Sequence, residues 1–213
     1  MKLISVNVSQ PKSAPAGDGQ TVMTGIFKEP IHGRVMMRTL DLDGDGQADL
    51  TVHGGPDKAV YAFPIEHYDF WQHTLKRKDF QFGQFGENFT VEGMSEDTVH
   101  IGDVYRIGNA VVQVTQPRVP CYKLALRMGI PSFPKFFLAS GRSGFYLRVL
   151  QEGDVGAGDA IELIQADPAR LSVHEALNLA FFDKSNPELI RKATAVRALS
   201  AAWREILDER LAS

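Results

Sequence analysis

Apolar and polar residues alternate along Lys2-Leu3-Ile4-Ser5-Val6-Asn7-Val8, the period of a half-buried strand. Runs with strand character recur at residues 20–27, 33–40, 59–63, 110–115 and 145–150, and a further strand is expected to begin near Val99. Residues 9–20 contain Pro11, Pro15, Gly17 and Gly19 and read as a loop. The pattern Ile101-Gly102-Asp103-Val104-Tyr105-Arg106-Ile107 is echoed by Ala157-Gly158-Asp159-Ala160-Ile161-Glu162-Leu163. In each, a tight Gly-Asp turn opens an alternating strand. Many short strands with such turns predict a mainly β fold with added helices, a closed or nearly closed β-barrel rather than a parallel sheet.

Helical periodicity appears between the strands. Pro64 suits a first helical turn, and Tyr68, Trp71 and Leu75 share one face of a helix reaching about Lys76. Residues 122–128 and 131–139 predict two further short helices. At Gln165-Ala166-Asp167-Pro168 the composition changes. Ser172 with Glu175 forms a capping box, Asn186-Pro187 opens a second helix, and residues 198–211 form a third. The expected organisation is a β-barrel domain over 1–166 and a three-helix region over 167–213. Three short helices resemble a DNA-binding unit, but the basic excess such a unit needs is absent. Packing against the barrel, or against a second copy in a homodimer, is the expected role.

Composition narrows the class. Of 213 residues 44% are hydrophobic and 23% charged, with a net charge of −3, which argues against nucleic acid as the main partner. One cysteine excludes an internal disulfide framework, a self-contained iron–sulfur cluster and an all-cysteine zinc site. Residues 1–8 read as a strand rather than a signal peptide, and no apolar run approaches membrane-spanning length. A cytoplasmic protein is expected.

That cysteine lies in Gln116-Pro117-Arg118-Val119-Pro120-Cys121-Tyr122-Lys123. Two prolines stiffen the segment, and Arg118 and Lys123 place cations near the thiol, a setting that favours the thiolate. A thiolate attacks electrophiles or ligates soft metals. A lone cysteine is also commonly a small buried hydrophobe, and the residues alone leave both readings open. A second candidate is His53-Gly54-Gly55-Pro56-Asp57-Lys58. Paired glycines can expose N–H groups to an anion, and Lys58 adds a charge. Arg142 and Arg148 are further candidates for an anion site. The acidic stretch 41–47 looks like a calcium loop, but its twelfth position is Val52 where a carboxylate is needed. It reads as a hairpin-like turn.

Taken together, Gln116-Pro117-Arg118-x-Pro120-Cys121-x-Lys123-Leu124, His53-Gly54-Gly55-Pro56-Asp57-Lys58-Ala59-Val60 and Phe85-Gly86-Glu87-Asn88 resemble the MOSC domain (molybdenum cofactor sulfurase C-terminal) family, in its YiiM-type branch with a C-terminal three-helix region. The resemblance implies a β-rich barrel that binds the molybdenum cofactor, a pterin dithiolene with a terminal phosphate, and uses Cys121 as the metal ligand. It implies reduction of N-hydroxylated compounds such as hydroxylaminopurines. Gly54, Gly55, Lys58, Asn88, Arg118, Lys123 and Arg142 are then the candidate cofactor-binding residues. His53, Asp57 and Glu87 are the polar candidates for proton delivery. Electrons must come from an external flavin or iron–sulfur reductase, since the one cysteine is already committed. Two alternatives stand beside this: a sulfur carrier using a Cys121 persulfide, and a cofactor-binding protein without turnover.

Overall fold

The computed structural model describes residues 1–17, 19–48, 54–183 and 186–212. Twelve strands are named in chain order among these residues: β1 Lys2–Val8, β2 Lys12–Gly17, β3 Gln20–Thr24, β4 Glu29–Pro30, β5 Arg34–Met37, β6 Val60–Pro64, β7 Phe89–Glu92, β8 Val104–Ile107, β9 Ala110–Pro117, β10 Phe145–Gln151, β11 Gly153–Gly156 and β12 Ile161–Gln165. Eight of them form one sheet in the order β12-β8-β9-β10-β6-β7-β1-β4, with β11–β5 and β2–β3 as separate pairs. Every pair in the main sheet is antiparallel except β6–β7. That parallel step carries helix α1, Glu66–Leu75, as its crossover.

The expected barrel is not formed. The ladder is open, and the edge of β1 facing away from β7 is shared by β4 and by the Gly158-Asp159 turn. That turn and the two residues after it supply one isolated bridge, Lys2 to Ala160, and three main-chain hydrogen bonds of 2.7–3.0 Å, the last from Ile161 at the start of β12. A turn offers too few residues for a ladder, and the chain then leaves it to pair β12 with β8. Two local expectations also change. β2 occupies the stretch read as a loop, and its Pro15 is tolerated because β2 pairs only with β3. No strand begins at Val99; the region contributes the isolated His100–Ser172 bridge, and strand geometry starts at Val104.

The other helices are α2 Tyr122–Met128, α3 Phe133–Ala139, α4 Val173–Phe181, α5 Pro187–Thr194 and α6 Ala201–Ala212. The Ser172/Glu175 capping box and the Asn186 cap with proline at the first position are both present. The last three helices are not a separate body. Leu177, Ala180, Ile190, Leu199, Trp203 and Leu207 belong to the same apolar core as Val112, Val114 and Leu147 of the sheet. In addition, Ser200 N–H donates to the Thr115 carbonyl of β9 at 3.3 Å. A second, largely aromatic core joins β6, α1, α2 and α3 through Tyr61, Phe63, Trp71, Phe85, Leu124, Met128, Phe133 and Phe137. Arg118, from the cysteine segment, stacks on this core. Among the described residues no helix is long and apolar enough to cross a membrane.

Candidate functional site

β9 ends at Pro117, and the next four residues carry the chain across the aromatic core to α2. Cys121 is the residue at the N-cap of α2, in extended geometry (φ −116°, ψ 172°), and its side chain is half-buried. It lines a cleft of about 90 Å³ that opens to solvent. Lys28, Lys58, Arg118 and Lys123 also line this cleft, together with Tyr61, Asn88 and Tyr146. Four cations converge there in a chain whose net charge is negative.

Arg118 is the most deeply placed of the four, with 5% exposure. Its guanidinium carbon lies 4.9 Å from the Tyr61 ring centroid and 5.3 Å from that of Phe137. Its Nη1 is buried with no hydrogen-bond partner within the protein. Such a donor loses its water on folding and regains nothing, so a cleft ligand with an acceptor satisfies it. Burial acts against the Arg118 charge, but the facing Tyr61, Tyr146 and Cys121 groups outweigh it and raise its proton affinity. Burial pushes the Tyr61 and Tyr146 phenols up, which keeps them neutral donors and acceptors.

The backbone under Arg118 is held by Gly144. Arg118 N–H donates to the Gly144 carbonyl at 3.1 Å, and the Tyr61 hydroxyl donates to the Ser143 carbonyl at 2.8 Å. Gly144 N–H donates to Glu96 at 2.7 Å, and the other Glu96 oxygen meets His67 Nε2 at 2.7 Å. Gly144 has φ +67°, and a Cβ there would sit 2.4 Å from the Ala62 carbonyl oxygen. Gly144→Ala is therefore expected to destabilise the fold by more than about 2 kcal/mol, read by urea unfolding, because strain and clash combine. A loss within about 0.5 kcal/mol would show that this turn does not support the site.

Lys28 faces the cleft from the other wall. Its ammonium contacts both Asp45 oxygens at 2.6 Å, with side-chain exposures of 8% and 1%. Asp45 also accepts from Ser9 N–H at 2.8 Å and from the Asn88 amide at 2.7 Å. Burial lowers the Lys28 proton affinity, against the pull of Asp45. The acidic turn thus delivers an internal counter-ion. Asn88 in turn accepts from Tyr61 N–H at 3.1 Å, so it braces β6 as well as lining the cleft.

Several sequence candidates stand elsewhere. His53 lies outside the described residues. Gly54 and Gly55 do not line the cleft; Gly55, at φ +94°, opens the 3-10 turn Pro56–Lys58 that carries Lys58. Asp57 is ion-paired with Arg148 and does not line the cleft. Arg142 stacks over Phe70 at 3.9 Å, away from the cleft lining. Glu87 is fully buried and accepts from Gly83 and Phe85 N–H and from the Tyr68 and Thr90 hydroxyls, a structural carboxylate. Lys28, Tyr61 and Tyr146 were not foreseen. The only local signal for the two tyrosines was strand alternation, and Lys28 sits in a polar stretch that reads as solvated.

Residues 49–162 match the family described as the MOSC domain, and residues 171–213 match the YiiM-like, 3-alpha helix domain. The protein YflK of Bacillus subtilis is 43% identical over 202 residues, covering 95% of this chain and 90% of that protein. A protein of Gibberella moniliformis named Reductase is 30% identical over 198 residues, 92% of this chain but 35% of that protein. The crystal structure of YiiM from Geobacillus stearothermophilus superposes with a TM-score of 0.84 at 36% identity, covering 99% of this chain and 98% of that one.

Proposed function

We propose, since this chain belongs to the MOSC domain family, that it binds a molybdenum cofactor in the cationic cleft and reduces N-hydroxylated compounds. The observation that carries the reading is the meeting, in one solvent-open cleft, of the half-buried Cys121 sulfur and the buried, unpartnered Arg118 donor. A phosphate-bearing, sulfur-rich metal cofactor fits these residues. Arg118, Lys58 and Lys123 supply charge-assisted donors for its anionic end, and Cys121 supplies a soft sulfur ligand. Among the described residues no group of three or more His, Cys, Asp and Glu is placed to hold a metal by itself. A metal at Cys121 then arrives with most of its ligands.

When bound, such a cofactor supplies a two-electron centre for N–O reduction. The overall change consumes two electrons and two protons per N–O bond and releases water. An external flavin or iron–sulfur reductase supplies the electrons, in the cytoplasm. The chain's own residues orient and charge the site: Arg118 and the lysines hold anionic oxygens, Tyr61 and Tyr146 remain protonated, and the aromatic floor excludes water from the Arg118 side. The name Reductase on the fungal relative supports an oxidoreductase reading over a sulfur carrier.

Elemental analysis of protein from a cofactor-competent host tests this. The expected result is roughly one molybdenum per chain, lost in Cys121→Ser because a hydroxyl is a poor soft-metal ligand. Metal-free wild-type protein carrying a labile persulfide would sink the reading in favour of sulfur transfer. Bound molybdenum without turnover of a hydroxylaminopurine, given a chemical reductant, would leave cofactor binding without catalysis.

A further inference from the structure

Asp57 looks in sequence like a proton-carrying group beside a glycine-rich loop, and in the structure its carboxylate is engaged by Arg148. Lys58 ends a 3-10 turn of three residues, whose own hydrogen bond is Lys58 N–H to the Gly55 carbonyl at 3.0 Å. So short a turn does not fix the direction of a lysine by itself. The sheet fixes it. The Thr115 hydroxyl on β9, fully buried, lies 2.7 Å from the Asp57 carbonyl and 3.1 Å from the Tyr146 carbonyl of β10, and its single proton is donated to the nearer, Asp57 oxygen. From β10, Arg148 Nε donates to Asp57 Oδ1 at 2.8 Å, with Nη2 on the same oxygen. Arg148 Nη1 reaches back to Gln113 Oε1 of β9 at 3.1 Å. The peptide group between Asp57 and Lys58 is thus held through its carbonyl, and the preceding side chain is held through its carboxylate.

We propose that Asp57 is a positioning residue which, with Thr115 and Arg148, holds the Pro56–Lys58 turn so that the Lys58 ammonium faces the anionic ligand of the cleft. The inference rests on the cofactor reading above, in which Lys58 contacts that anionic end. Burial lowers the Lys58 proton affinity and the adjacent Asp57 charge opposes the loss, so the same carboxylate also helps keep the lysine charged. Arg148, a candidate anion ligand by sequence, acts here as the counter-charge that keeps Asp57 in place.

A double-mutant cycle separates positioning from general structural support. Inorganic pyrophosphate serves as the probe, titrated calorimetrically into full-length protein prepared without cofactor. Lys58→Ala and Asp57→Ala are each expected to weaken its binding about tenfold, the worth of one charge-assisted contact. The double variant is expected to bind no more weakly than Lys58→Ala alone, because Asp57 acts through Lys58. Thr115→Val removes only the hydroxyl and is expected to give the same non-additive loss, which keeps the test decisive where Asp57→Ala does not fold. Losses that add in full, or wild-type affinity in Asp57→Ala or Thr115→Val, overturn the positioning role alone. Wild-type protein that does not bind pyrophosphate overturns the anion-site reading and this inference with it.

Discussion

Asp45→Ala is expected to destabilise the fold by about 3–5 kcal/mol at neutral pH, because it leaves the Lys28 ammonium buried without its counter-ion. The same change orphans Ser9 N–H and one Asn88 amide donor. The deficit depends on pH in a defined direction. In the fold, burial already places the Lys28 proton affinity below that of an ordinary lysine, 10.5, and Asp45 limits the drop. Without Asp45 the folded value falls further. Between the folded value and 10.5 the unfolded chain holds a proton that the folded chain does not, so stability there rises with pH. The Asp45→Ala deficit therefore shrinks as pH rises towards 10.5. Urea unfolding at several pH values reads both features. A loss below about 1 kcal/mol, the range of an exposed pair, or a deficit that grows with pH, would show that this ion pair is not buried as described.

Arg118→Met is expected to separate binding from stability. The guanidinium is enclosed by Tyr61 and Phe137 with Nη1 unpartnered, so the ligand-free protein buries a donor it has not satisfied. Methionine keeps an apolar stem against the rings and makes favourable sulfur–aromatic contacts. Unfolding of the variant without cofactor is expected at the same or higher urea concentration than wild type. Pyrophosphate binding is expected to weaken about 10- to 100-fold, since a hydrogen bond to a charged acceptor contributes roughly 1.5–3 kcal/mol. Intact binding together with a stability loss above about 2 kcal/mol would make Arg118 a structural residue instead. A site that holds an unsatisfied buried donor in readiness for a ligand is one way function lowers stability.

The Cys121 and Arg118 part of the site was legible in the sequence because its signals are contiguous. Two prolines, two cations and a thiol within eight residues need no distant partner to be noticed. Lys58 was legible for a related reason, its paired glycines. The Asp57 ion pair was not legible because the group that occupies its carboxylate, Arg148, lies 91 residues further along the chain. Lys28 and Asp45 are 17 residues apart in polar stretches, where each charge alone reads as solvated. Glu87 looked chemically available until the four donors around it were in view.

By itself the sequence determined the local elements: the alternating strands, the capping box at Ser172, the proline-opened helix at Asn186, and the stiff approach to Cys121. Each depends on neighbours within a few residues, so periodicity and side-chain type suffice. Only the tertiary structure decided that the sheet stays open, that the last three helices share its core, and which charges face the cleft rather than one another. Those outcomes depend on pairings between distant segments, where burial and the presence of a counter-charge set the energy of an ionisable group and its type alone does not.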